Sequence, residues 1–383
     1  MKSESFSAIF VVNRRPRQLS LLYTARVHEP VASVEQVTPE WLTETLRRGG
    51  SLERGRVTGV RVRATHTHPV SIISHLEVAY APDASSAAPT QLFLKVSNPN
   101  FEPAAPRARP PEEIEFYNDV APRMPAAPLP RCFDAAYSPT TGRAHLLLED
   151  LSATHYHPPL PLTDTLAECE LATDCLAQVH AFWWEHEQLG RGVGRLLSAA
   201  QVDELARAAA ANFTRFVAAH GARLSTDERK LYERAIATFP RPWVHLTDAK
   251  GLTVTHGDAH QWNFLFPRAP RGGRVYLIDW QLWHVHTGPR DLAYMLMLWC
   301  APERRAQMEQ TLLRRYHRAL LARGVRGYDW HDCWQDYRWS AVRTIFIPLW
   351  HWAKGRPETL WGAQLERSLR AFAELNCSEL LAS

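Results

Sequence analysis

Between Val254 and Pro267 the chain reads VTHGDAHQWNFLFP, a run in which two histidines, an aspartate and an asparagine interrupt apolar sequence. Those residue types admit two chemistries. His256 and His260, flanking Asp258, are ligand types for a metal ion; alternatively Asp258 is the working group and Asn263, five residues on, its partner. A second acidic position in an apolar setting, Asp279, follows VYLI. A carboxylate at the end of a buried strand is costly unless it is paired, hydrogen-bonded or metal-bound. Two such ends joined by a hairpin-like segment can converge on one spot. Aspartate and asparagine oxygens, without cysteine, suit a hard cation such as Mg2+, usually held together with substrate phosphates. Each residue alone has a plainer reading: Asp258 capping a turn, Asn263 starting a helix, Asp279 ending a strand. The three together, in a strand-loop-strand context, favour a site.

The elements that must position these residues can be read outward from them. Two short strands, LTVTHG and VYLIDW, flank FPRAPRGGR within residues 253–283. Long helical patterns surround this insert at 163–188, 199–220, 226–239, 302–323, 329–352 and 358–382. The N-terminal part has a different character. Thr38 as N-cap and Pro39 at the first helical position open the helix EWLTETLRRGG. Alternating, β-branched runs follow, VTGVRVRAT, SIISHLEVAY and QLFLKVS, the last two separated by turn-rich APDASSAAPT. Proline-rich FEPAAPRARPP leads into a short helix, EEIEFYNDVAP, and AHLLLEDL reads as a strand over 144–149 that ends at Glu149-Asp150. Residues 1–36 have weak periodicity and read as an N-terminal extension, poorly ordered or a start set too early. The expectation is an α+β chain with a small lobe at 37–149 and a larger, mainly helical lobe at 150–383. Ligands tend to bind in the cleft between such parts.

Composition narrows the partners. A chain of 383 residues can bury a sizeable core and make two domains or two lobes of one. Its 45% hydrophobic and 22% charged content describes an ordinary soluble globular protein. A formal net charge of +4 is small for this length and points to neither nucleic acid nor an anionic membrane. The longest apolar stretches, such as TIFIPLWHWA, are too short and interrupted to span a bilayer. No signal peptide is evident, since SAIFVV is followed directly by Arg14, Arg15 and Arg17. Six scattered cysteines with no CxxC pair suit reduced thiols in a cytoplasm better than disulfides or a zinc site.

The motifs in order resemble one superfamily. HGDAHQWN has the His-x-Asp-x-x-x-x-Asn pattern of the kinase catalytic loop, in the form found in aminoglycoside and choline-type phosphotransferases. LIDWQ looks like that superfamily's metal-binding aspartate segment, and its Asp-Trp-Gln form is closest to the ecdysteroid-kinase-like branch. GPRDLAYML resembles the Asp-Leu-Ala segment that follows, and LATDCLAQVHAFWW the helix that precedes the loop. In the N-terminal part, LFLKV carries Lys95, EEIEFY carries Glu113 and LLLEDL matches the hinge. The resemblance runs from about Thr38 to the C-terminus, resting on helical pattern alone past residue 300.

The resemblance implies a two-lobed, protein-kinase-like fold with a small antiparallel-sheet lobe, and an ATP-dependent phosphotransferase using Mg2+. Phosphoryl transfer asks a protein for position and charge neutralisation. Asp258 would orient the acceptor hydroxyl and take its proton, and Asn263 and Asp279 would hold Mg2+. Lys95 would contact the α- and β-phosphates with Glu113 pairing its ammonium; Glu115, two residues on, faces another side of the helix. Adenine would bond the backbone of Glu149 and Leu151. His256 reads as a buried imidazole bonding the loop backbone. His260 either faces substrate or packs beneath the loop. Asp291 would anchor the catalytic loop or its own helix start, and His180, on an apolar helix, reads as core or as a buried hydrogen-bonding residue. One departure stands out: the phosphate-covering loop, ATHTHPVSIIS at 64–74, has no glycine, which leaves Ser71, Ser74 and backbone N–H groups to cradle phosphate. His66 and His68 read as a solvated turn.

Two rival functions remain open. A metal-dependent hydrolase could use His66, His68, His256, Asp258, His260 and Asp279 as ligands, but leaves Lys95, Glu113 and Asn263 idle. A nucleotide-binding pseudokinase is the other, although no catalytic position is missing. For the acceptor, residues 301–383 carry nine Asp/Glu against thirteen Lys/Arg, with six tryptophans, which suits a cationic aminoglycoside poorly. Trp283, Trp350 or Trp352 are the candidates to line a pocket for apolar or sugar faces. The expected partner is a neutral or partly apolar hydroxylated small molecule: sterol-like, polyketide or glycosidic. Neither nucleic acid nor membrane insertion is expected.

Overall fold

The structure, a computed structural model, describes residues 28–100, 109–159, 165–238, 251–269 and 273–382. The chain divides into two compact units, Met1–Tyr156 with Pro267–Leu282, and His157–Phe266 with Trp283–Ser383. Most of the extension expected at 1–36 lies outside the described residues.

The first unit is built on a five-stranded antiparallel sheet of β1 (Val57–Thr67), β2 (Ser71–Tyr80), β3 (Gln91–Ser97), β4 (Cys132–Tyr137) and β5 (Ala144–Glu149), in the order β1-β2-β3-β5-β4. Period-two alternation sorts β3 cleanly. Leu92, Leu94 and Val96 enter the core, where Leu76, Val78, Phe133 and Leu147 meet Leu42 and Leu46 of the helix Pro39–Arg48. Thr38 caps that helix by accepting the Trp41 N–H at 3.2 Å. Lys95, between Leu94 and Val96, therefore points to the opposite face, in register with Ile73 on β2 and Leu146 on β5. Strand β4 is absent from the sequence-based expectation. A register irregularity between Cys132 and Asp134 breaks its alternation, and a buried aspartate sits mid-strand.

In the second unit, the strands Leu252–Thr255 and His284–Thr287 pair antiparallel, Thr255 opposite His284. Helices Leu166–Trp183, Ala199–His220, Thr226–Ala237, Pro289–Trp299, Pro302–Ala322, Trp330–Thr344, Ile347–Ala353 and Glu358–Glu374 make up most of the rest. The single helix expected at 329–352 is two. Pro348 lacks an N–H, and its ring collides with the carbonyl four residues back in a continuous helix, so the chain breaks at Ile345–Phe346. The helix expected to reach 382 stops at Glu374, where Asn376 takes a left-handed φ of 51°. Helix Pro289–Trp299 is buried at every residue except Arg290. Among the described residues, no helix is long and apolar enough to cross a membrane.

Candidate functional site

Two polar centres emerge, one in each unit. In the first, Lys95 Nζ donates to Glu113 Oε2 at 2.7 Å and to Asp279 Oδ1 at 3.2 Å. Glu113 rides on the short helix Glu112–Glu115; its rival Glu115 turns instead to Arg109 at 2.8 Å. Three residues beyond Glu113, Phe116 stacks on Trp280 with ring centroids 3.9 Å apart and planes 7° from parallel. This helix thus sends a carboxylate to Lys95, and the π-helical turn that continues it, Phe116–Val120, clamps the residue after Asp279. Asp279 itself adopts φ 65°, a left-handed conformation uncommon outside glycine, at a strain of order 1–3 kcal/mol. Burial alone would lower the pKa of Lys95, but the charges of Asp279 and Glu113 prevail and hold it above the ordinary lysine range. Burial pushes Glu113 upward, against the pull of Lys95.

The second centre is the loop after strand Leu252–Thr255. Gly257, at φ 84°, makes the turn that a side chain would resist. Asp291 Oδ2 accepts the His256 N–H at 2.6 Å, and Oδ1 accepts the Gly257 N–H at 3.0 Å. His180 Nε2 lies 3.2 Å from the same carboxylate, and its Nδ1 lies 2.8 Å from the Tyr316 hydroxyl. Burial would raise the Asp291 pKa, yet the hydrogen bond and charge of His180, with Arg290, hold it well below the usual carboxylate range. Asp258, 3% exposed, follows directly. Tyr294 donates its hydroxyl to Asp258 Oδ1 at 2.6 Å, and His260 Nε2 stands 3.6 Å from Oδ2. The side-chain amide of Asn263 donates to the Asp258 carbonyl at 2.8 Å, which leaves Oδ1 as its acceptor oxygen toward any ligand.

The remaining sequence-predicted residues take these places. His256 is fully buried, and its Nδ1 accepts the Asp258 N–H at 3.3 Å, a loop-holding role. His260 packs against Trp299 and Trp262, at centroid distances of 4.8 and 5.9 Å. Trp262 and Trp299 thus flank His260, and sequence reasoning missed both, as it missed Tyr294 on Asp258. Trp283 is 6% exposed and packs near Gly194, while Trp352 meets Phe216 edge-on at 5.3 Å. Ser71 and Ser74 are buried in β2, Ser74 Oγ lying 3.2 Å from Thr65 Oγ1, because the β1–β2 turn is only residues 68–70. His68, read as a solvated turn, is partly buried, and burial with the charges of His66 and Lys95 lowers its pKa against Asp279. At the hinge, the Glu149 N–H bonds the Arg131 carbonyl at 2.8 Å, and the Leu151 carbonyl accepts from Thr154 and His155.

Among the described residues, the one cluster with metal-ligand geometry is His28, Asp134 and His145, their ligand atoms within 4.8 Å of one another. Its surroundings oppose a cation. Arg48 lies 3.3 Å from Asp134 Oδ2, and the Val31 N–H donates to His145 Nδ1, so the neutral ring carries its proton on the nitrogen facing Asp134. The cluster ties residues 28–31 to the sheet through His28 at 2.7 Å.

An antiparallel sheet bearing a partly buried lysine–glutamate pair, and a His-Gly-Asp loop with its asparagine five residues on, are the features of a kinase-like phosphotransferase family. The chain belongs to the ecdysteroid kinase-like family, whose model matches residues 71–324, a span that contains both centres. Among solved structures, it resembles a protein of Ralstonia eutropha JMP134 described as a candidate aminoglycoside phosphotransferase. The two are 16% identical, with 88% of this chain and 97% of that one covered and a TM-score of 0.51, which establishes the shared fold. More distant likenesses include choline kinase LicA of Streptococcus pneumoniae, at 13% identity, 88% and 98% coverage and a TM-score of 0.47. Spectinomycin phosphotransferase APH(9)-Ia, solved with ADP and spectinomycin, is 11% identical over 91% and 98% of the chains, with a TM-score of 0.44. No curated protein sequence matches the chain.

Proposed function

We propose that the protein transfers the γ-phosphoryl group of ATP to a hydroxyl of a small molecule. The observation that carries this reading is the partly buried Lys95 with two carboxylates upon it, Glu113 at 2.7 Å and Asp279 at 3.2 Å. One ammonium against two carboxylates leaves a formal charge of −1, and hard oxygen donors without sulfur fit Mg2+. Asp279, and Asn263 through its Oδ1, would hold that ion, which when bound neutralises phosphate charge and orients the triphosphate. Lys95 contacts the α- and β-phosphate oxygens, fixed in place by Glu113. The turn at 68–70, with His68 and the start of β2 at Ser71, lies over the phosphates; Ser74 supports that turn from within the strand. Adenine docks on the backbone of Glu149 and Leu151.

Asp258 accepts the proton of the acceptor hydroxyl as that oxygen forms its bond to the γ-phosphorus. The bond from the γ-phosphorus to the β–γ bridging oxygen breaks, and ADP leaves with the electron pair. Trp262, partly exposed and packed edge-on at 5.9 Å to the His260 ring that neighbours Asp258, supports an acceptor with an apolar or sugar face. A sterol-like, polyketide or glycosidic alcohol fits better than a cationic aminoglycoside.

The test is a screen of hydroxylated metabolites and antibiotics for an ATP-dependent mass gain of one phosphate. With an acceptor in hand, Asp258→Ala lowers transfer by about 10²- to 10⁴-fold, the usual worth of a general base, and leaves ADP affinity unchanged. Near-wild-type turnover by that variant overturns the reading. Turnover confined to aminoglycosides, with uncharged alcohols inert, overturns the acceptor preference alone.

A further inference from the structure

We infer that Tyr294 is a positioning residue for the base, locking the Asp258 carboxylate in one rotamer from the same helix face that fixes the loop backbone. The inference rests on Asp258 being the base. Its geometry is specific. Tyr294 donates to Asp258 Oδ1 at 2.6 Å, and both residues are buried, at 2% and 3% exposure. Asp291, three residues earlier on helix Pro289–Trp299, takes the two backbone N–H groups just before Asp258. Residues three apart project from one helix face, so a single turn of helix holds the loop twice, once by its backbone and once by the side chain that does the chemistry.

The surroundings make Tyr294 a permanent donor. Burial and the neighbouring Asp258 carboxylate push its hydroxyl well above the ordinary tyrosine range, against Arg290 and Trp299, so the phenol keeps its proton. A hydrogen bond from a neutral phenol to a carboxylate is among the stronger kinds. It fixes the Asp258 side-chain torsion, with Oδ2 on the side facing His260. A base held within a narrow range of angles shortens the search for a productive geometry, and small misplacements of reacting groups cost rate steeply. Tyr294 touches neither substrate nor transferred group; it acts through Asp258.

The experiment measures ADP release from MgATP, with water as acceptor, for the wild type, Tyr294→Phe, Asp258→Asn and the double variant. Tyr294→Phe lowers kcat about tenfold, the worth of one charge-assisted hydrogen bond, and leaves KM for MgATP and ADP affinity within about twofold. In the Asp258→Asn background the same change has no further effect, because its target is gone. Since loss of the hydroxyl leaves a small void, p-methyl- and p-amino-phenylalanine at position 294 are compared as well; the first fills the volume without a donor and the second keeps one. Recovery of kcat with the amino group alone supports the inference. Equal kcat for that pair, or a Tyr294→Phe loss undiminished in the Asp258→Asn background, overturns it. Unchanged ADP release in Asp258→Asn overturns Asp258 as the base, on which the inference rests, and no ADP release from any variant or the wild type overturns the phosphotransfer reading, a separate outcome.

Discussion

The two polar centres solve the same problem, holding an ionised group in a buried place, by different means. The Lys95 centre is held by charge: an ammonium between carboxylates at 2.7 and 3.2 Å, with the strained backbone of Asp279 steadied by the stacking of Trp280 on Phe116. The Asp258 centre is held by hydrogen bonds: Asp291 on two backbone N–H groups, Asn263 on a carbonyl, Tyr294 on the carboxylate. Both use two residues three apart on continuous helical backbone, Glu113 with Phe116 across a helix and the π-helical turn that follows it, and Asp291 with Tyr294 on one helix. The difference has a physical consequence. A charge-held group tolerates small displacements, because Coulomb attraction falls off slowly with distance, and it suits the charged nucleotide proposed for that centre. A hydrogen-bonded group is defined in direction, which suits the proposed role of Asp258 as a base that meets a proton along a line.

The contrast can be broken by substitution. Asp291→Ala leaves His180 and two buried N–H groups without their acceptor, and is expected to cost about 3–5 kcal/mol of stability. Thermal melting checks this, and a fall in Tm of less than about 2 °C would show that the loop does not depend on Asp291. Glu113→Gln removes one of the two carboxylates on Lys95 but leaves Asp279. It should raise KM for MgATP about tenfold, with little change in Tm; destabilisation as large as that of Asp291→Ala would erase the distinction between the centres. Trp262→Ala, the mildest, should raise acceptor KM about three- to tenfold, a stacking contribution of roughly 1 kcal/mol, with KM for MgATP unchanged. An effect on the nucleotide alone would move Trp262 out of the acceptor site.

The pKa shift of Asp291 adds a pH dependence with a definite sign. A carboxyl depressed in the folded state contributes stability that is fully present above its unfolded value. It is lost only as pH falls toward the lowered folded value, so this anchor holds through the neutral range. The part of acid unfolding that disappears in Asp291→Asn is the measure of it.

Much of the site could be read from residue types in order. Lys95 in an alternating strand, the His-Gly-Asp run with Asn263, and Asp279 after an apolar run are local patterns, since strand period and loop spacing are properties of adjacent residues. Strand β4 could not be read that way, because its bulge and buried Asp134 hide the alternation, and the partners of Asp134 come from His28 and His145, 106 and 11 residues away. The break at Ile345–Phe346 has a local signal in Pro348, but the helical pattern runs on across it. Tyr294 gave a faint signal in its spacing from Asp291. Trp262 and Trp299 gave none, being two among fourteen tryptophans.

By itself, then, the sequence determined the kinds of group available and the short-range order that makes them strand ends, turns and helix faces. Which groups meet was decided by tertiary structure. Asp279 reaches Lys95 across 184 residues of chain, and Tyr294 reaches Asp258 across 36. Such pairings depend on packing: a ring stacked on Trp280, a helix buried on nearly all sides, a strand turned one way by its neighbours. Residue types name the chemistry, and only the close-packed interior, with its low tolerance for unpaired polar atoms, selects the partners.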